Sequence, residues 1–445
     1  MIKSVKKAVK IEGIISVPGD KSISHRAMLL NSITGGPAKV SNFCQGDDRT
    51  AMLNCLTGLG VNIKQVKKAD ALNTDDCFLI KGRGLTGLSK PTRLLNAGNS
   101  GTTLRLISGL LATQTFESII SGDKSLRSRP MDRIIAPLTQ MGAGIGFTGQ
   151  NGFAPLVIRG GKLSGINYKM PVASAQVKSC ILIAGLNASG ETIITQPQIS
   201  RDHTERMMRA MGANISIDGL SVTIKPTKLS PIDVHVPGDL SSAAFWMILG
   251  VCHSNASIKI KQAGLNPSRT GVIDVLQMMG AKIKISNVKE GAGEPYGDIE
   301  IQSSSLKNTV IQGELIPRVI DEIPILALAG CFATGEMLIQ NADELRLKES
   351  DRISATVDGL TKLGANITET KDGLVIRGNQ ELNGSEVNSF GDHRIAMTMG
   401  IAGALSNGVT TITGAEANMI SYPGFWTQLS ELTGDFAGVD SGIYS

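Results

Sequence analysis

The sequence predicts an α/β protein with two domains, each built from three copies of one unit that contains helices and strands. Three observations predict this fold class: a glycine-centred pattern that recurs along the chain, a second recurring pattern in which a polar cluster opens an apolar helix, and a Val-Pro-Gly-Asp sequence that occurs twice. The chain has 445 residues, a length that fits roughly two large domains or three smaller ones.

The first recurring pattern marks the end of a helix and the start of a strand. Before Gly364, the apolar residues Ile353, Val357 and Leu360 have helical spacing, and a tight turn between two strands is predicted at 372–373. Because a left-handed residue commonly ends a helix, we expect the glycine to adopt that conformation. The copies of the pattern centre on Gly60, Gly142, Gly212, Gly280 and Gly364, with a weaker copy at 432–436.

The second pattern alternates with the first, so each unit contains two helices and about four strands. Its copies begin at Asp20, Asn99, Ala173, Asp239, Asp321 and Asp392. The two Val-Pro-Gly-Asp sequences, at 17–20 and 236–239, predict a hinge at which the chain leaves one domain and later returns. The predicted domains are therefore 19–237 and a discontinuous 1–18 plus 238–445. The alternative is that the two sequences are unrelated turns.

Composition excludes several classes of protein. Apolar residues make up 41% of the chain and charged residues 19%, which excludes wholesale disorder. No apolar stretch reaches about 20 residues, so no transmembrane helix is expected. The six cysteines form no CxxC pair and the basic N-terminus lacks an apolar core, so we expect a cytoplasmic protein with reduced thiols and no zinc site. A net charge of +5 is too weak to indicate nucleic acid but fits an anionic ligand.

Arginines lie near the predicted helix starts that precede the recurring glycines. The N-terminus of a helix favours anions, so a cation placed there makes sense if an anionic ligand is shared. The alternative is that these are ordinary surface arginines or interdomain salt bridges, and this alternative is favoured for two of them, Arg49 and Arg269. An anionic ligand is favoured for Arg129 and Arg352. The full set is Arg49, Arg129, Arg201, Arg269 and Arg352.

Other helix starts add polar and basic residues, and two carboxylates interrupt them. An ionised Asp321 could act as a general base, and a protonated Glu349 as a general acid. The alternative for Glu349 is a carboxylate that only stabilises the helix dipole. The polar and basic residues are Lys21, Ser22, Arg26, Asn99, Gly101, Thr102, Ser174, Gln176, His393 and Arg394.

Eight segments together resemble the 5-enolpyruvylshikimate-3-phosphate synthase family. They include VPGDKSISHRA at 17–27 and NAGNSGTTLRL at 96–106, and the others lie at 127–133, 174–179, 201–207, 319–327, 344–352 and 391–397. The resemblance implies a two-domain, inverse α/β barrel-like fold of six βαβαββ units, three per domain, with helix N-termini facing the interdomain cleft. It implies transfer of the enolpyruvyl group of phosphoenolpyruvate to the 5-hydroxyl of shikimate 3-phosphate, with release of phosphate. No cofactor, metal, nucleic acid or membrane partner is expected, and a monomer is expected.

The resemblance also assigns roles by motif. It implies that Asp321 accepts a proton, that Glu349 donates one, and that Lys21 helps phosphate leave. Residues implied to bind shikimate 3-phosphate are Lys21, Ser22, Arg26, Ser174, Ala175, Gln176, Ser200, Arg201, Asp321 and Lys348. Residues implied to bind phosphoenolpyruvate are Lys21, Asn99, Gly101, Thr102, Arg129, Gln176, Glu349, Arg352, His393 and Arg394.

The chain departs from the family pattern in places, and rival functions stay open at this point. Ile420 stands where many members have a lysine, and Ala175 where a second serine is common. The rivals are a UDP-N-acetylglucosamine enolpyruvyl transferase, a two-domain anion-binding protein without chemistry, and an RNA-end-processing enzyme. The first would use a loop cysteine as its acid, but no cysteine occurs between Cys77 and Cys180.

Overall fold

The computed structural model describes residues 1–66 and 77–434, apart from the side chains of residues 47 and 48. The chain separates into two compact units, which we call unit 1 and unit 2. Unit 1 comprises residues 1–18, 238–289 and the chain from 296 onward, and unit 2 comprises residues 19–237 and 290–295. Residues 435–436 of the weaker glycine pattern lie outside the described residues.

Helices occur in both units and alternate with strands. The α-helices are α1 (Lys21–Ser32), α2 (Asp47–Gly58), α3 (Gly101–Ala112), α4 (Lys124–Arg127), α5 (Asp132–Gln140), α6 (Ala175–Gly185), α7 (His203–Ala210), α8 (Leu240–Cys252), α9 (Gly271–Met278), α10 (Ile316–Val319), α11 (Ile323–Phe332), α12 (Arg352–Lys362), α13 (His393–Leu405) and α14 (Phe425–Thr433). Short 3₁₀ helices lie at Gly313–Leu315, Asp343–Leu347 and Ala415–Ile420.

The strands are mostly short. The first part of the chain forms β1 (Ile2–Lys6), β2 (Ile11–Ser16), β3 (Pro37–Ser41), β4 (Asn62–Val66), β5 (Cys77–Lys81), β6 (Leu95–Asn96), β7 (Glu117–Ser121), β8 (Gly144–Phe147), β9 (Leu156–Arg159), β10 (Leu163–Ser164), β11 (Asn167–Lys169), β12 (Ala188–Ser189), β13 (Thr192–Thr195), β14 (Ile215–Asp218), β15 (Ser221–Ile224) and β16 (Val234–His235). The remainder forms β17 (Ala256–Gly264), β18 (Lys282–Gly291), β19 (Glu294–Gln302), β20 (Val310–Ile311), β21 (Glu336–Ile339), β22 (Ile367–Glu369), β23 (Leu374–Arg377), β24 (Glu386–Asn388) and β25 (Val409–Thr413).

The sheets repeat one arrangement, in which a parallel pair of strands continues into antiparallel neighbours. In unit 2 the orders are β16-β3-β5-β4, β6-β7-β9-β8 and β11-β13-β15-β14, with a small β10-β12 pair. In unit 1 they are β2-β17-β19-β18, β20-β21-β23-β22 and β24-β25-β1. Helices alternate with these mixed sheets, so the predicted α/β class is confirmed.

Each unit has its own hydrophobic core around helices that are buried on nearly every side. In unit 1 these helices are α8, α11 and α13, and in unit 2 they are α1, α3 and α6. Most of their buried side chains are apolar, as expected of helices that are buried all round, although α1 also buries Ser24, His25 and Asn31. Side chains cap those first turns: Asp20, Ser100, Ser174, Asp239 and Asp392 each accept a hydrogen bond from a backbone N–H. The recurring polar clusters of the sequence are these capped helix starts.

The recurring glycines have the conformation that the sequence predicted. Their φ angles are +84° at Gly60, +105° at Gly142, +87° at Gly212, +90° at Gly280 and +93° at Gly364. After Gly364, β22 and β23 pair antiparallel on either side of the predicted tight turn. A residue with a Cβ is strained at these angles. The glycine pattern is therefore a structural requirement of each helix-to-strand connection.

Among the described residues, no helix is both long and apolar enough to span a bilayer.

Replacing Gly364 by alanine is expected to lower the free energy of unfolding by about 1 kcal/mol, because alanine is strained at positive φ. No atom lies within 4 Å of the position that the new Cβ would occupy, so crowding adds nothing to this loss. Denaturant unfolding measures it. Gly424 is the matched control, since its φ is −80° and its Cβ position is also open. An equal loss in Gly364→Ala and Gly424→Ala would contradict the conformational explanation.

Candidate active site

Unit 1 contains a cluster of charged side chains at the starts of helices α11, α12 and α13. Asp321 lies two residues before α11, and Glu349 lies three residues before α12. Arg352 is the first residue of α12, and Arg394 is the second residue of α13. These four predicted site residues are brought together through the guanidinium groups of the two arginines.

Arg352 is the centre of this cluster. Its guanidinium group lies 2.5 Å from Glu349 Oε2, 2.8 Å from Asp392 Oδ2 and 3.4 Å from Asp321 Oδ1. The side chain is only 2% exposed. Burial by itself would lower the pKa of Arg352, but the three surrounding carboxylates raise it above its ordinary value. Arg352 is therefore a permanent cation whose charge is compensated by carboxylates of unit 1.

Asp321 also lies beside two further arginines. Its Oδ2 is 3.9 Å from Arg269 Nη1 and 3.8 Å from Arg394 Nη2. Arg269 is 5% exposed and shares unit 1 with its partners Asp321 and Asp239. The interpretation of Arg269 as a surface arginine is therefore wrong, and its ion pairs with Asp321 and Asp239 lie within unit 1.

Arg49, the other arginine for which that interpretation was favoured, is the third residue of α2 in unit 2. Its guanidinium carbon lies 6.0 Å from the centre of the Phe78 ring, within the range of a cation–π contact. The contact stays inside unit 2 and involves an apolar ring. It is compatible with a structural role for Arg49.

The start of α13 combines a capping carboxylate with a buried histidine. Asp392 accepts hydrogen bonds from the Arg394 backbone N–H at 2.8 Å and from Ser350 Oγ at 3.1 Å. Burial favours protonation of Asp392, but Arg352 and His393 outweigh burial and lower the pKa of Asp392. Burial lowers the pKa of His393 to about 4. The His393 imidazole is therefore neutral at pH 7.

Lys348, implied to be the partner of Asp321, forms an ion pair with Glu344. The Lys348 Nζ to Glu344 Oε1 distance is 3.1 Å, and the Lys348 side chain is 22% exposed. Because the Glu344 side chain is half exposed, the ion pair holds Lys348 only weakly. This arrangement leaves Lys348 available to an anionic ligand.

In unit 2, the segment before α5 and the start of α3 form a second polar cluster. Arg129 Nη2 donates to Asn99 Oδ1 at 2.7 Å and lies 3.3 Å from Ser125 Oγ, and Asn99 donates to Asp123 at 2.8 Å. Gly101 begins α3, and a Cβ at this position would lie 2.8 Å from Arg105 Nη1. Glycine therefore leaves the first turn of α3 open beside two guanidinium groups.

The starts of α3 and α6 are joined by side-chain hydrogen bonds. Gln176 donates to Thr102 Oγ1 at 2.8 Å, and Arg105 Nη1 donates to Gln176 Oε1 at 2.5 Å. Ser174 caps α6, and Ala175 is its first residue. Arg105 was missed by the sequence analysis. The available signal was its position one helical turn after Gly101, on the same face of α3.

Arg26 is a buried cation whose donors are used within unit 2. It donates to Thr204 Oγ1 at 2.6 Å, Ser179 Oγ at 2.8 Å and the Ser22 carbonyl at 2.9 Å. Burial lowers the pKa of Arg26 to about 10, so it stays charged at neutral pH. Its hydrogen bonds fix the first turn of α1, which begins at Lys21.

Ser200 and Arg201 lie in the segment before α7. A buried ion pair contacts the backbone of this segment. Lys178 Nζ lies 2.6 Å from Glu205 Oε1, and both side chains are 1% exposed. The same ammonium group lies 3.3 Å from the Ser200 carbonyl oxygen. Gln196 Oε1 accepts from the Ser200 hydroxyl at 2.7 Å. The backbone that carries Ser200 is therefore held by interior charge and hydrogen bonds.

Among the described residues, no group of three or more histidine, cysteine, aspartate or glutamate side chains is arranged to hold a metal ion.

Cations and carboxylates that gather at capped helix starts of an α/β fold suit a protein that binds anionic metabolites, and similarity to known proteins identifies its family. A family model described as EPSP synthase (3-phosphoshikimate 1-carboxyvinyltransferase) matches residues 5–429. A 3-phosphoshikimate 1-carboxyvinyltransferase of Bacillus cereus is 48% identical, covering 95% of this chain and 97% of the relative. One of Herpetosiphon aurantiacus is 46% identical, covering 97% and 99%.

Solved structures of the same family are also similar to this chain. A 2.37 Å structure of EPSP synthase from Acinetobacter baumannii superimposes with a TM-score of 0.87 at 41% identity and covers 97% of both chains. The chain belongs to the EPSP synthase family. Its activity is that of a 3-phosphoshikimate 1-carboxyvinyltransferase, an enzyme of aromatic amino acid biosynthesis. The family, the function and the enzyme class predicted from the sequence are confirmed.

The buried His393 predicts a specific acid sensitivity. Unfolding returns the His393 pKa from about 4 to about 6.5, so between these values the unfolded chain binds a proton that the folded chain does not. The free energy of unfolding should therefore fall as the pH falls through this window and be unaffected above pH 7. Between pH 7 and 5, wild type is expected to lose about 2 kcal/mol more than His393→Gln. Equal losses in denaturant unfolding would contradict a neutral buried imidazole.

Proposed function

We propose that the clusters of unit 1 and unit 2 bind the two substrates of this transferase, phosphoenolpyruvate and shikimate 3-phosphate. The observation that carries the proposal is the Arg352 cluster, in which one buried cation contacts both Asp321 and Glu349. A fixed cation beside a potential base and a potential acid suits a reaction in which anions react and protons move.

Phosphoenolpyruvate is proposed to bind Arg129, Arg352 and Arg394, because a guanidinium group binds carboxylate or phosphate oxygens through two parallel hydrogen bonds. Glycine at the first position of α3 lets the backbone N–H of Gly101 approach the ligand. The remaining proposed contacts are Lys21, Asn99, Thr102, Gln176, Glu349 and His393.

Shikimate 3-phosphate is proposed to bind mainly to unit 2. Its phosphate suits the hydroxyl group of Ser174, the guanidinium group of Arg201 and the Ser200 hydroxyl, which would exchange its hydrogen bond to Gln196 for one to the phosphate. Its ring hydroxyls are assigned to Asp321 and Lys348. The remaining proposed contacts are Lys21, Ser22, Arg26, Ala175 and Gln176, of which Arg26 acts from the interior by fixing Ser22.

The proposed reaction moves two protons and exchanges two groups at one carbon. Glu349 protonates the methylene carbon of phosphoenolpyruvate, C2 becomes cationic, and the 5-hydroxyl attacks C2 while Asp321 takes the hydroxyl proton. The methyl group of the tetrahedral intermediate then returns a proton to Glu349. The C2–O bond to phosphate breaks with assistance from Lys21, and the leaving phosphate takes the proton that Asp321 holds. The products are the enolpyruvyl ether and hydrogen phosphate, and both carboxyl groups return to their starting states, so atoms and charge balance.

Glu349 needs a proton to act as the donor, and the Arg352 cluster supplies a reason for it to gain one. Glu349 Oε2 accepts a hydrogen bond from Arg352 Nη2 at 2.5 Å, a contact that favours the carboxylate. An anionic substrate that binds Arg352 competes for this donor and adds negative charge beside Glu349. Both changes raise the proton affinity of the carboxyl group.

We further propose that units 1 and 2 are the two domains, each with three βαβαββ repeats. The recurrence of a parallel pair with antiparallel neighbours in both units supports this. The hinge at 17–20 and 236–239, a monomeric state and a cytoplasmic location stay predictions.

Replacing Asp321 by alanine is expected to lower kcat by about 10²–10⁴-fold, because a proton acceptor contributes an effect of that size. The fold should persist, since Arg352 keeps its contacts with Glu349 and Asp392. Phosphate release from phosphoenolpyruvate in the presence of shikimate 3-phosphate measures turnover. The control is Asp358→Ala, which removes an exposed carboxylate of α12 that pairs with Lys362. Near-normal turnover of Asp321→Ala would remove Asp321 from the mechanism.

A further inference from the structure

Unit 1 contains a buried polar network next to Asp321, and its members have no part in the proposed reaction. Its members are Arg269, two residues before α9, Ser241 in the first turn of α8, and Glu322, the residue after Asp321. Their side chains are nearly inaccessible, with Arg269 5% exposed and Glu322 2% exposed. Burying charge is unfavourable unless it is paired and hydrogen-bonded, so this network needs a reason to exist.

The two ends of the Arg269 guanidinium group have different partners. Nη1 lies 3.9 Å from Asp321 Oδ2. Nη2 donates a short hydrogen bond to Ser241 Oγ and lies 3.4 Å from Asp239 Oδ1 and 3.7 Å from Glu322 Oε1. The Ser241 hydroxyl in turn donates a short hydrogen bond to Glu322 Oε1. The Nη2 end of Arg269 is therefore bound at the start of α8, while the Nη1 end faces Asp321, the proposed base.

Glu322 connects this network to the second arginine beside Asp321. Its Oε1 lies 3.8 Å from Arg394 Nη1, and Arg394 Nη2 lies 3.8 Å from Asp321 Oδ2. Glu322 thus lies between Arg269 and Arg394, and both guanidinium groups extend past it to the Asp321 carboxylate. Loss of the Glu322 charge would leave two buried cations facing Asp321 without their common counter-ion.

The charged groups around Asp321 come from several elements. Among the described residues, the cations in contact with it include Arg269, Arg352 and Arg394. The carboxylates that share those cations are Glu322 beside Asp321, Asp239 at the start of α8, Glu349 before α12 and Asp392 before α13. Arg269 differs from Arg352 and Arg394 because the sequence resemblance gives it no role with either substrate.

We propose that Arg269 is a positioning residue that fixes the Asp321 carboxylate and keeps it ionised, so that it can accept the 5-hydroxyl proton. The proposal rests on the proposed function of Asp321. An arginine suits this role because its planar group reaches Asp321 and the Ser241–Glu322 pair at the same time. A lysine ammonium supplies the charge from one point and cannot hold both ends.

The charge that each variant removes determines the direction of its effect. Arg269→Gln removes a cation next to Asp321, which raises the Asp321 pKa and moves the acidic limb of the kcat/KM profile to higher pH, by about one unit. Glu322→Gln removes a neighbouring anion and moves the same limb to lower pH. A structural defect has no reason to give opposite shifts. Substrate phosphates titrate identically in all variants, so differences between profiles report the protein.

The experiment measures kcat/KM for shikimate 3-phosphate from pH 5 to 9 in the full-length wild type and in Arg269→Gln, Arg269→Lys, Glu322→Gln and Arg318→Gln. Arg269→Lys keeps the charge, so its acidic limb should stay near that of wild type while kcat falls roughly tenfold through lost positioning. Arg318→Gln is the matched control, because Arg318 lies in the same region but pairs with the half-exposed Asp274. Its profile should match wild type.

Opposite shifts of the acidic limb in Arg269→Gln and Glu322→Gln support the proposal. Unshifted limbs in both variants overturn it, whatever happens to kcat. If Arg269→Gln does not fold, Glu322→Gln decides alone: a shift to lower pH supports the proposal, and a limb that is unshifted or moves to higher pH overturns it. Asp321→Ala distinguishes failure of the proposed function from failure of the role of Arg269. Normal turnover of Asp321→Ala refutes the proposed function. An inactive Asp321→Ala, together with unshifted acidic limbs in the other variants, refutes only the role of Arg269.

Discussion

The burial of Arg352 among three carboxylates is the interaction on which the proposed catalytic cluster of unit 1 depends. Glu349, Asp392 and Asp321 come from the starts of three different helices, and one guanidinium group holds them together. A buried cation with this many partners is costly to remove, because the fully buried Asp392 would then be desolvated without the cation that it contacts. The same contacts make Arg352 a fixed charge that needs little reorganisation when charge develops in a bound substrate.

In unit 2, the buried cation Arg26 has neutral hydrogen-bond partners, and the buried cation Lys178 has a carboxylate partner. Arg26 is surrounded by hydroxyl and carbonyl oxygens of Thr204, Ser179 and Ser22, while Lys178 has Glu205. These interior cations fix the backbone that presents Ser22 and Ser200. Donors held in this way from behind suit a phosphate ligand, because they lose little conformational entropy when it binds. The two units therefore show different electrostatics in similar architecture: paired charge in unit 1 and mostly hydrogen-bonded charge in unit 2.

Capping carboxylates connect the fold to the site. Asp392 caps α13 and also balances Arg352, and Asp239 caps α8 and also contacts Arg269. An apolar helix that is buried all round exposes polar character only at its first turn, so the capping residue is the natural counter-ion for nearby cations. This shared use explains why the polar clusters of the sequence mark both helix starts and proposed site residues. The repeat pattern of the fold and the location of the proposed site have the same physical origin.

The sequence by itself determined the α/β class, the left-handed glycines such as Gly364 and the family, because these follow from local spacing, backbone sterics and ordered motifs. It also indicated Asp321, Glu349 and Arg352 as charged residues at helix starts. Only the tertiary structure decided their partners: Arg105 on Gln176, Lys178 on Glu205, and Arg269 on Asp321. Such pairs join residues that are 27 to 71 positions apart, and charge alone does not say which opposite group comes within 4 Å. Partner choice is set by how helices and sheets pack, and that packing is a property of the whole folded unit.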